Sequence, residues 1–408
     1  MRFLHFADAH IDMANYGRLD PATGLPLRIL DFLKALDEIV ETAVTEKVDL
    51  VIFAGDAYKD RNPQPTYQRE WEKRIMRLSQ AGIPTLLLVG NHDVGRAASR
   101  AHTLEEFRTL QVPHVFVADR IQLWTAAQLG LPVQILAIPW VSRSVLMTRD
   151  ETVGLSLSDI DSTIHDLISQ QVQRLLDQTD PALPLIITAH ASVDGATYGS
   201  ERMVMLGHEV ILSQSLLRDP RVDYVALGHI HKHQDLNPKQ HPPIVYPGSI
   251  ERIDFGEAKE RKGFVLGELE RGRADWRFVP LNTRRFFDYR IDTPDQEGFM
   301  SDIVRQLPDP DAVAGAICRL QLVYPIEWEP QLDEAAILRH FEQAFSFQLQ
   351  KHRVSEKRAR LGDTVAVEQL APLELLERYW LSIEVGEEET AVLQSMAQEI
   401  FAQLENAE

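Results

Sequence analysis

Cysteine is nearly missing from this chain of 408 residues, Cys318 being the only one. That excludes a disulfide framework and any cysteine-built zinc site. Long apolar runs are missing too. No stretch approaches the ~18 uninterrupted apolar residues that a membrane-spanning helix needs, so no membrane partner is expected. Met1-Arg2-Phe3-Leu4-His5 lacks the apolar core of a secretory leader, and the cytoplasm is the expected compartment. Basic residues are scarce, 42 against 61 acidic ones, for a formal net charge of −19. Taken as a total, that disfavours a polyanionic partner. Internal repeats, low-complexity tracts and obvious flexible linkers are also absent. Hydrophobic residues make up 44%, which excludes intrinsic disorder, and the length suggests two or three domains.

What is present is a regular alternation. Short apolar runs at 3–7, 49–54, 84–89, 133–138, 184–189, 222–227 and 243–246 read as buried strands. Between them, apolar spacing predicts helices over 27–47, 66–81, 158–177 and 209–217. Strands alternating with helices over residues 1–280 indicate an α/β domain. From about residue 281 the texture changes. Strands at 286–292 and 315–324 and helices at 296–306 and 332–345 suggest a small α+β domain over 281–360. Residues 361–408 form a third part with two helical patterns. Leu373, Leu375, Leu376 and Trp380 mark the first; Val392, Leu393, Met396, Ile400, Phe401 and Leu404 mark the second.

Five polar segments each follow a strand candidate: Asp8-Ala9-His10, Gly55-Asp56, Gly90-Asn91-His92-Asp93, His190, and Gly228-His229-Ile230-His231. Ligand sites in open α/β sheets lie at the carboxyl ends of strands. Taken singly, each segment has an ordinary reading as a cap, a turn or an exposed pair. Together they supply about seven oxygen and imidazole donors, enough for two divalent cations such as Mn²⁺, Fe²⁺ or Zn²⁺. Asp-x-His and His-x-His put two donors on one side of an extended segment. The glycines are expected to allow sharp exits from the strands.

This order of segments resembles the calcineurin-like metallophosphoesterases, and within them the SbcD-type DNA repair exonucleases. The narrower resemblance rests on Gly55 to Pro63, Ser200-Glu201-Arg202, Tyr246 to Arg252 and Phe255-Gly256-Glu257. It covers roughly residues 1–270 and fades beyond, where Leu370-Ala371-Pro372 and the helix after it still look familiar. It implies a sandwich of two central sheets flanked by helices, with 281–360 as a capping domain. It implies Asp8, His10 and His231 on one metal, Asn91, His190 and His229 on a second, and Asp56 bridging. His92 would be the catalytic residue outside the ligand set, with Asp93 orienting it. Manganese is the first choice of metal. The family places an acid three residues after the bridging aspartate; here Asp60 comes at four, so it is given no role.

The implied activity is two-metal hydrolysis of DNA phosphodiesters, exonucleolytic on duplex ends and endonucleolytic on single strands and hairpins. Implied partners are DNA, an SbcC-like ABC-type coiled-coil ATPase docked on the C-terminal helices, and a second copy of the chain. The homodimer contact would use the helix at 66–81 with Tyr67, Trp71, Ile75, Met76 and Leu78. Two other readings stand beside it: an esterase for cyclic nucleotides or small phosphodiesters, and a catalytically silent scaffold. The cluster Lys351, Arg353, Lys357, Arg358 and Arg360 suits phosphate contact and a solvated face equally. Residues 361–408 hold eleven acidic residues and one basic residue, Arg378, so much of the negative charge sits in the tail.

Overall fold

The computed structural model describes residues 1–16, 18–95, 101–141, 157–199, 210–293, 298–354, 372–382 and 386–405. Ser200-Glu201-Arg202, Lys357, Arg358, Arg360, Leu370 and Ala371 lie outside the described residues. Two compact units divide the chain, Met1–Phe286 and Phe287–Glu408.

The first unit is built on two six-stranded sheets. One runs in the order β14 (Arg273–Pro280), β13 (Gly263–Glu270), β1 (Arg2–Phe6), β2 (Leu50–Phe53), β3 (Thr85–Leu88) and β4 (Val115–Ala118). The other runs β11 (Gln234–Asp235), β12 (Ile244–Tyr246), β10 (Tyr224–Gly228), β7 (Leu185–His190), β6 (Gln134–Ile138) and β5 (Gln122–Trp124). Neighbours from β1 to β4 are parallel, as are those from β12 to β6, with antiparallel strands added at the edges.

Strict alternation along these strands sorts side chains to two faces. Phe3, Leu50, Ile52, Leu86 and Leu88 share one core with Ile135, Ala137, Ile186, Tyr224 and Ala226, so the two sheets pack face to face. Leu4, Phe6, Val51, Phe53 and Leu87 point the other way, into a core completed by helices α1 (Leu27–Thr45) and α2 (Pro65–Gln80). Leu136, Ile138, Ile187, Val225 and Leu227 face the helix Leu157–Leu176. Coverage on both faces is why these strands read as predominantly apolar runs.

His5 is a buried polar side chain between the sheets. Its Nε2–H donates to Leu227 O at 3.1 Å, and its Nδ1 accepts from the Tyr224 hydroxyl at 3.1 Å. Full burial disfavours the imidazolium and pushes the His5 pKa down to about 3.

One expected element of this unit is corrected. The helix at 209–217 exists only at Gln214–Leu217, capped by Ser213; β9 (Ile211–Leu212) instead pairs with β8 (Ser192–Val193). Of the five α2 residues expected at a homodimer contact, Tyr67 and Met76 are half-buried and the other three turn inward. Trp71, Ile75 and Leu78 are buried in the unit's own core, with Trp71 4.8 Å from the Phe53 ring.

The second unit carries a three-stranded sheet, in the order β15 (Phe286–Asp292), β16 (Ile317–Pro325) and β17 (Ser346–Val354), over an apolar core. Helix Glu334–His340 falls short of the expected 332–345, because the chain turns at Phe341 to enter β17. Lys351 and Arg353 are engaged by Glu329 rather than left free for phosphate. Helices Pro372–Ser382 and Glu387–Glu405 complete the described chain. No described helix is long and apolar enough to cross a membrane.

Candidate metal centre

All five polar segments sit at the carboxyl ends of parallel strands of the first unit: after β1, β2 and β3 in one sheet, and at the ends of β7 and β10 in the other. Because the two sheets face each other, these ends converge. Donor atoms of Asp8, His10 and His231 lie within 4.8 Å of one another, as do those of Asp8, Asp56 and His190. Asp8 is common to both groups, and Asp56 Oδ2 stands 3.8 Å from His10 Nε2 and 3.4 Å from His190 Nε2. Asn91 Oδ1 is 3.0 Å from both His190 Nε2 and His229 Nδ1. All seven candidate ligands are buried.

The backbone is bent to bring them in. Asp8, His10, Asp56 and His229 have φ of 49°, 40°, 64° and 96°. Each such left-handed residue costs of order ~1–3 kcal/mol when it is not glycine. These four are close to half of the nine non-glycine residues with positive φ among the described ones, so the strain is concentrated here. The glycines work differently from expectation. Gly55 does make the sharp exit, with φ of 100°. Gly228 is there for space: a Cβ on it would lie 2.0 Å from Ala54 O and 3.0 Å from His190 Nδ1. Gly90 leaves room for the Asp56 carboxylate in the same way.

Hydrogen bonds fix which nitrogen each imidazole presents. His10 Nδ1–H donates to Tyr58 O at 3.1 Å, His190 Nδ1–H to Ala54 O at 2.7 Å, and His231 Nδ1–H to Glu257 Oε1 at 2.7 Å. Their Nε2 lone pairs therefore turn inward, and those of His10 and His231 face each other at 3.2 Å. Two lone pairs at that distance repel unless a proton or a metal cation lies between them. This fits a metal centre better than a packed polar core.

Electrostatics point the same way. Burial works against charge on His190, but Asp56 and Asp8 outweigh it and raise its pKa to about 9. Burial also opposes ionisation of Asp56, yet His190 and His92 hold its pKa well below the usual range. Burial raises the Asp8 pKa. Burial would raise that of Glu257 too, but Lys262 and His231 bring it down to about 2. Without ions, a proton drawn onto His190 offsets the buried carboxylates, a service that divalent cations replace.

His92 stands beside the centre, its ring 5.2 Å from that of His10. Its Nδ1–H donates to Lys59 O at 2.6 Å, and Lys59 Nζ approaches its Nε2 at 3.4 Å. Burial lowers its pKa. Asp93 does not orient His92. Its carboxylate accepts from the amides of Asp56 and Gly90 at 2.9 Å, the amide of Ala57 at 3.1 Å and the Thr103 hydroxyl at 3.1 Å. It staples the second segment to the third, and Lys59 O sets the His92 ring.

Several contributors escaped the sequence reading. Trp140 lies 5.1 Å from the His229 ring. It follows β6, so the rule of strand ends that found the others could have found it. Lys262 is fully buried, 2.9 Å from Glu257 and 3.0 Å from His231 O, with no short-range signal in the sequence.

A family profile described as calcineurin-like phosphoesterase matches residues 1–233. The chain belongs to this family. It is accordingly a metal-dependent hydrolase with the metallophosphoesterase sandwich. It is 27% identical over 79% of its length to the DNA double-strand break repair protein Mre11 of Archaeoglobus fulgidus, matching 68% of that protein. It is 27% identical over 67% of its length to the SbcD component of nuclease SbcCD from Escherichia coli (strain K12), matching 66% of it. It is also 24% identical over 68% of its length to the uncharacterized metallophosphoesterase YhaO of Bacillus subtilis (strain 168), matching 60% of it. The chain thus spans about two thirds of the length of these relatives.

Proposed function

We propose that this protein is a DNA repair nuclease of SbcD type, hydrolysing phosphodiesters at a centre of two divalent cations, manganese first among them. One observation carries the reading: the facing Nε2 lone pairs of His10 and His231, with Asp56 Oδ2 3.8 Å from His10 Nε2 and 3.4 Å from His190 Nε2. Asp8, His10 and His231 would hold one ion and Asn91, His190 and His229 the other, with Asp56 shared. When bound, such ions neutralise phosphate oxygens and lower the pKa of water. The chain's own residues do the rest. Asp8 accepts the His229 amide at 3.0 Å and Asp56 the His92 amide at 2.8 Å, which locks the ligand segments to each other. His92, once protonated at Nε2, donates to a phosphate or leaving oxygen, a contribution typically worth ~10²–10⁴-fold. The named nuclease and repair relatives favour DNA over a small ester.

The C-terminal helices are the proposed docking site for an SbcC-like ATPase. Val392, Met396 and Ile400 form an exposed apolar stripe at intervals of four residues in an acid-rich segment. Such a stripe suits a helical partner's groove. Replacing Val392 and Met396 by glutamate should abolish co-purification with that ATPase; retained co-purification would refute the docking role.

The activity is tested by offering the purified protein, with Mn²⁺, labelled duplex, hairpin and single-stranded DNA and bis(p-nitrophenyl) phosphate. Cleavage of DNA is expected. Hydrolysis of the small ester alone would favour the small-phosphodiester reading. Inertness toward all four, with ions bound and the ATPase present, would favour the silent scaffold.

A further inference from the structure

Beside His92 runs a groove of about 450 Å³ that the centre itself does not use, lined by Asp12, Met13, Lys59, Asp60, Arg61 and His92. Its four charged side chains are unequally engaged. The Asp12 carboxylate accepts the backbone amides of Lys59 and Asp60, and the Asp60 carboxylate accepts the Asn62 amide at 3.0 Å. Both acids therefore spend their charge on the loop that forms the groove. The two cations have no such outlet. Lys59 Nζ contacts only His92 Nε2, at 3.4 Å, and Arg61 makes no hydrogen bond or ion pair among the described residues. Several other arginines of this unit are paired, as Arg74 is with Asp37 and Glu70, and Arg221 with Asp177 and Asp219, while Arg18 and Arg277, like Arg61, have no ion pair among the described residues.

We propose that this groove is the subsite for the phosphate adjoining the scissile one, with Lys59 and Arg61 as its cationic contacts. The site would then favour phosphodiester chains over isolated phosphate esters. This rests on the nuclease reading and assigns its preference to named residues. The position is right. His92 lies between the groove and the ligand cluster, and charges along a strand recur about every 3.4 Å of axis. The chemistry is right as well. Lys59 keeps two ammonium hydrogens beyond the one aimed at His92, and Arg61 offers its whole guanidinium fork. Lys59 is half-buried and already tethered, so ordering it on a ligand costs less than ordering a free surface lysine. A cyclic nucleotide or simple ester has one phosphate and leaves both cations unused.

The test follows hydrolysis of bis(p-nitrophenyl) phosphate by the full chain with Mn²⁺ while a thymidine tetranucleotide competes. In the double variant Lys59→Ala/Arg61→Ala, the inhibition constant of the tetranucleotide should rise about tenfold or more, and its salt slope should flatten by about 1.4, two contacts at ~0.7 each. Lys59→Arg in the wild-type background should keep both near the wild-type values. An unchanged inhibition constant and slope in the double variant would overturn the subsite. The nuclease reading fails on a different signal, a wild-type protein that binds the tetranucleotide but does not cut DNA.

Discussion

The two units treat charge in opposite ways. In the first, charged and polar side chains are driven inside: Asp8, His10, Arg28, Asp56, Asp93, His190, Glu257 and Lys262 are all buried. In the second, Thr293 is the only buried polar residue among the described ones, and its strongest ionic group lies at the surface. There Lys351 and Arg353 converge on Glu329, which also accepts the Tyr324 hydroxyl, and its carboxyl is held well below its usual range by Arg353, Tyr324 and Lys351. Burying a charge costs several kcal/mol unless it is paired or holds a cation. A fold that accepts this cost repeatedly at the ends of five strands marks where its chemistry is. The second unit has no comparable set of buried charges among its described residues.

The contrast predicts a graded series of substitutions. The largest effect belongs to Asp56→Ala, which should deplete both ions and lower turnover by more than about 10³-fold, read by elemental analysis and ester hydrolysis. Two ions still bound in that variant would break the bridging role. His92→Ala comes next, with turnover down by ~10²–10⁴-fold and both ions retained. Lys262→Met removes the buried ammonium beside the Glu257 carboxylate and should cost about 3–5 kcal/mol in urea denaturation. A change near zero would mean that the buried pair is not needed.

His5→Gln gives a smaller, pH-dependent effect. The folded state holds the His5 pKa near 3, below the ordinary value of 6.5. The unfolded chain therefore binds the proton more readily. The stability that neutral His5 contributes is fully present above pH 6.5 and is lost as pH falls toward 3. Wild type should thus lose up to about 1.4 kcal/mol per pH unit in that window relative to the variant. Parallel pH profiles would contradict this. The smallest effect is expected in the second unit, where Glu329→Gln should leave the denaturation midpoint in place because its partners are solvated.

The sequence exposed the parts of this architecture that are buried on both faces and little of the rest. Strands β1, β2, β3, β6, β7 and β10 are predominantly apolar runs, so their carboxyl ends, and with them every candidate ligand, could be placed. β14 alternates charged and apolar residues from Arg273 to Phe278, and the apolar start of β13 runs into Glu268 and Glu270, so neither stood out. β17 escaped for the same reason. Ile211 and Leu212 read as helix because their pairing with Ser192 and Val193 is nonlocal. Left-handed backbone at Asp8, His10, Asp56 and His229 carries no glycine to announce it. The role of Lys59 in setting His92 depends on a backbone carbonyl, which no side-chain pattern reveals.

The central claim is that the facing imidazoles and the Asp56 carboxylate form a seat for two cations. Elemental analysis of the wild-type protein after equilibration with Mn²⁺ and gel filtration tests it most directly. Two ions per chain are predicted, falling toward none in Asp56→Ala and staying at two in His92→Ala. One ion or none in the wild type would contradict the account.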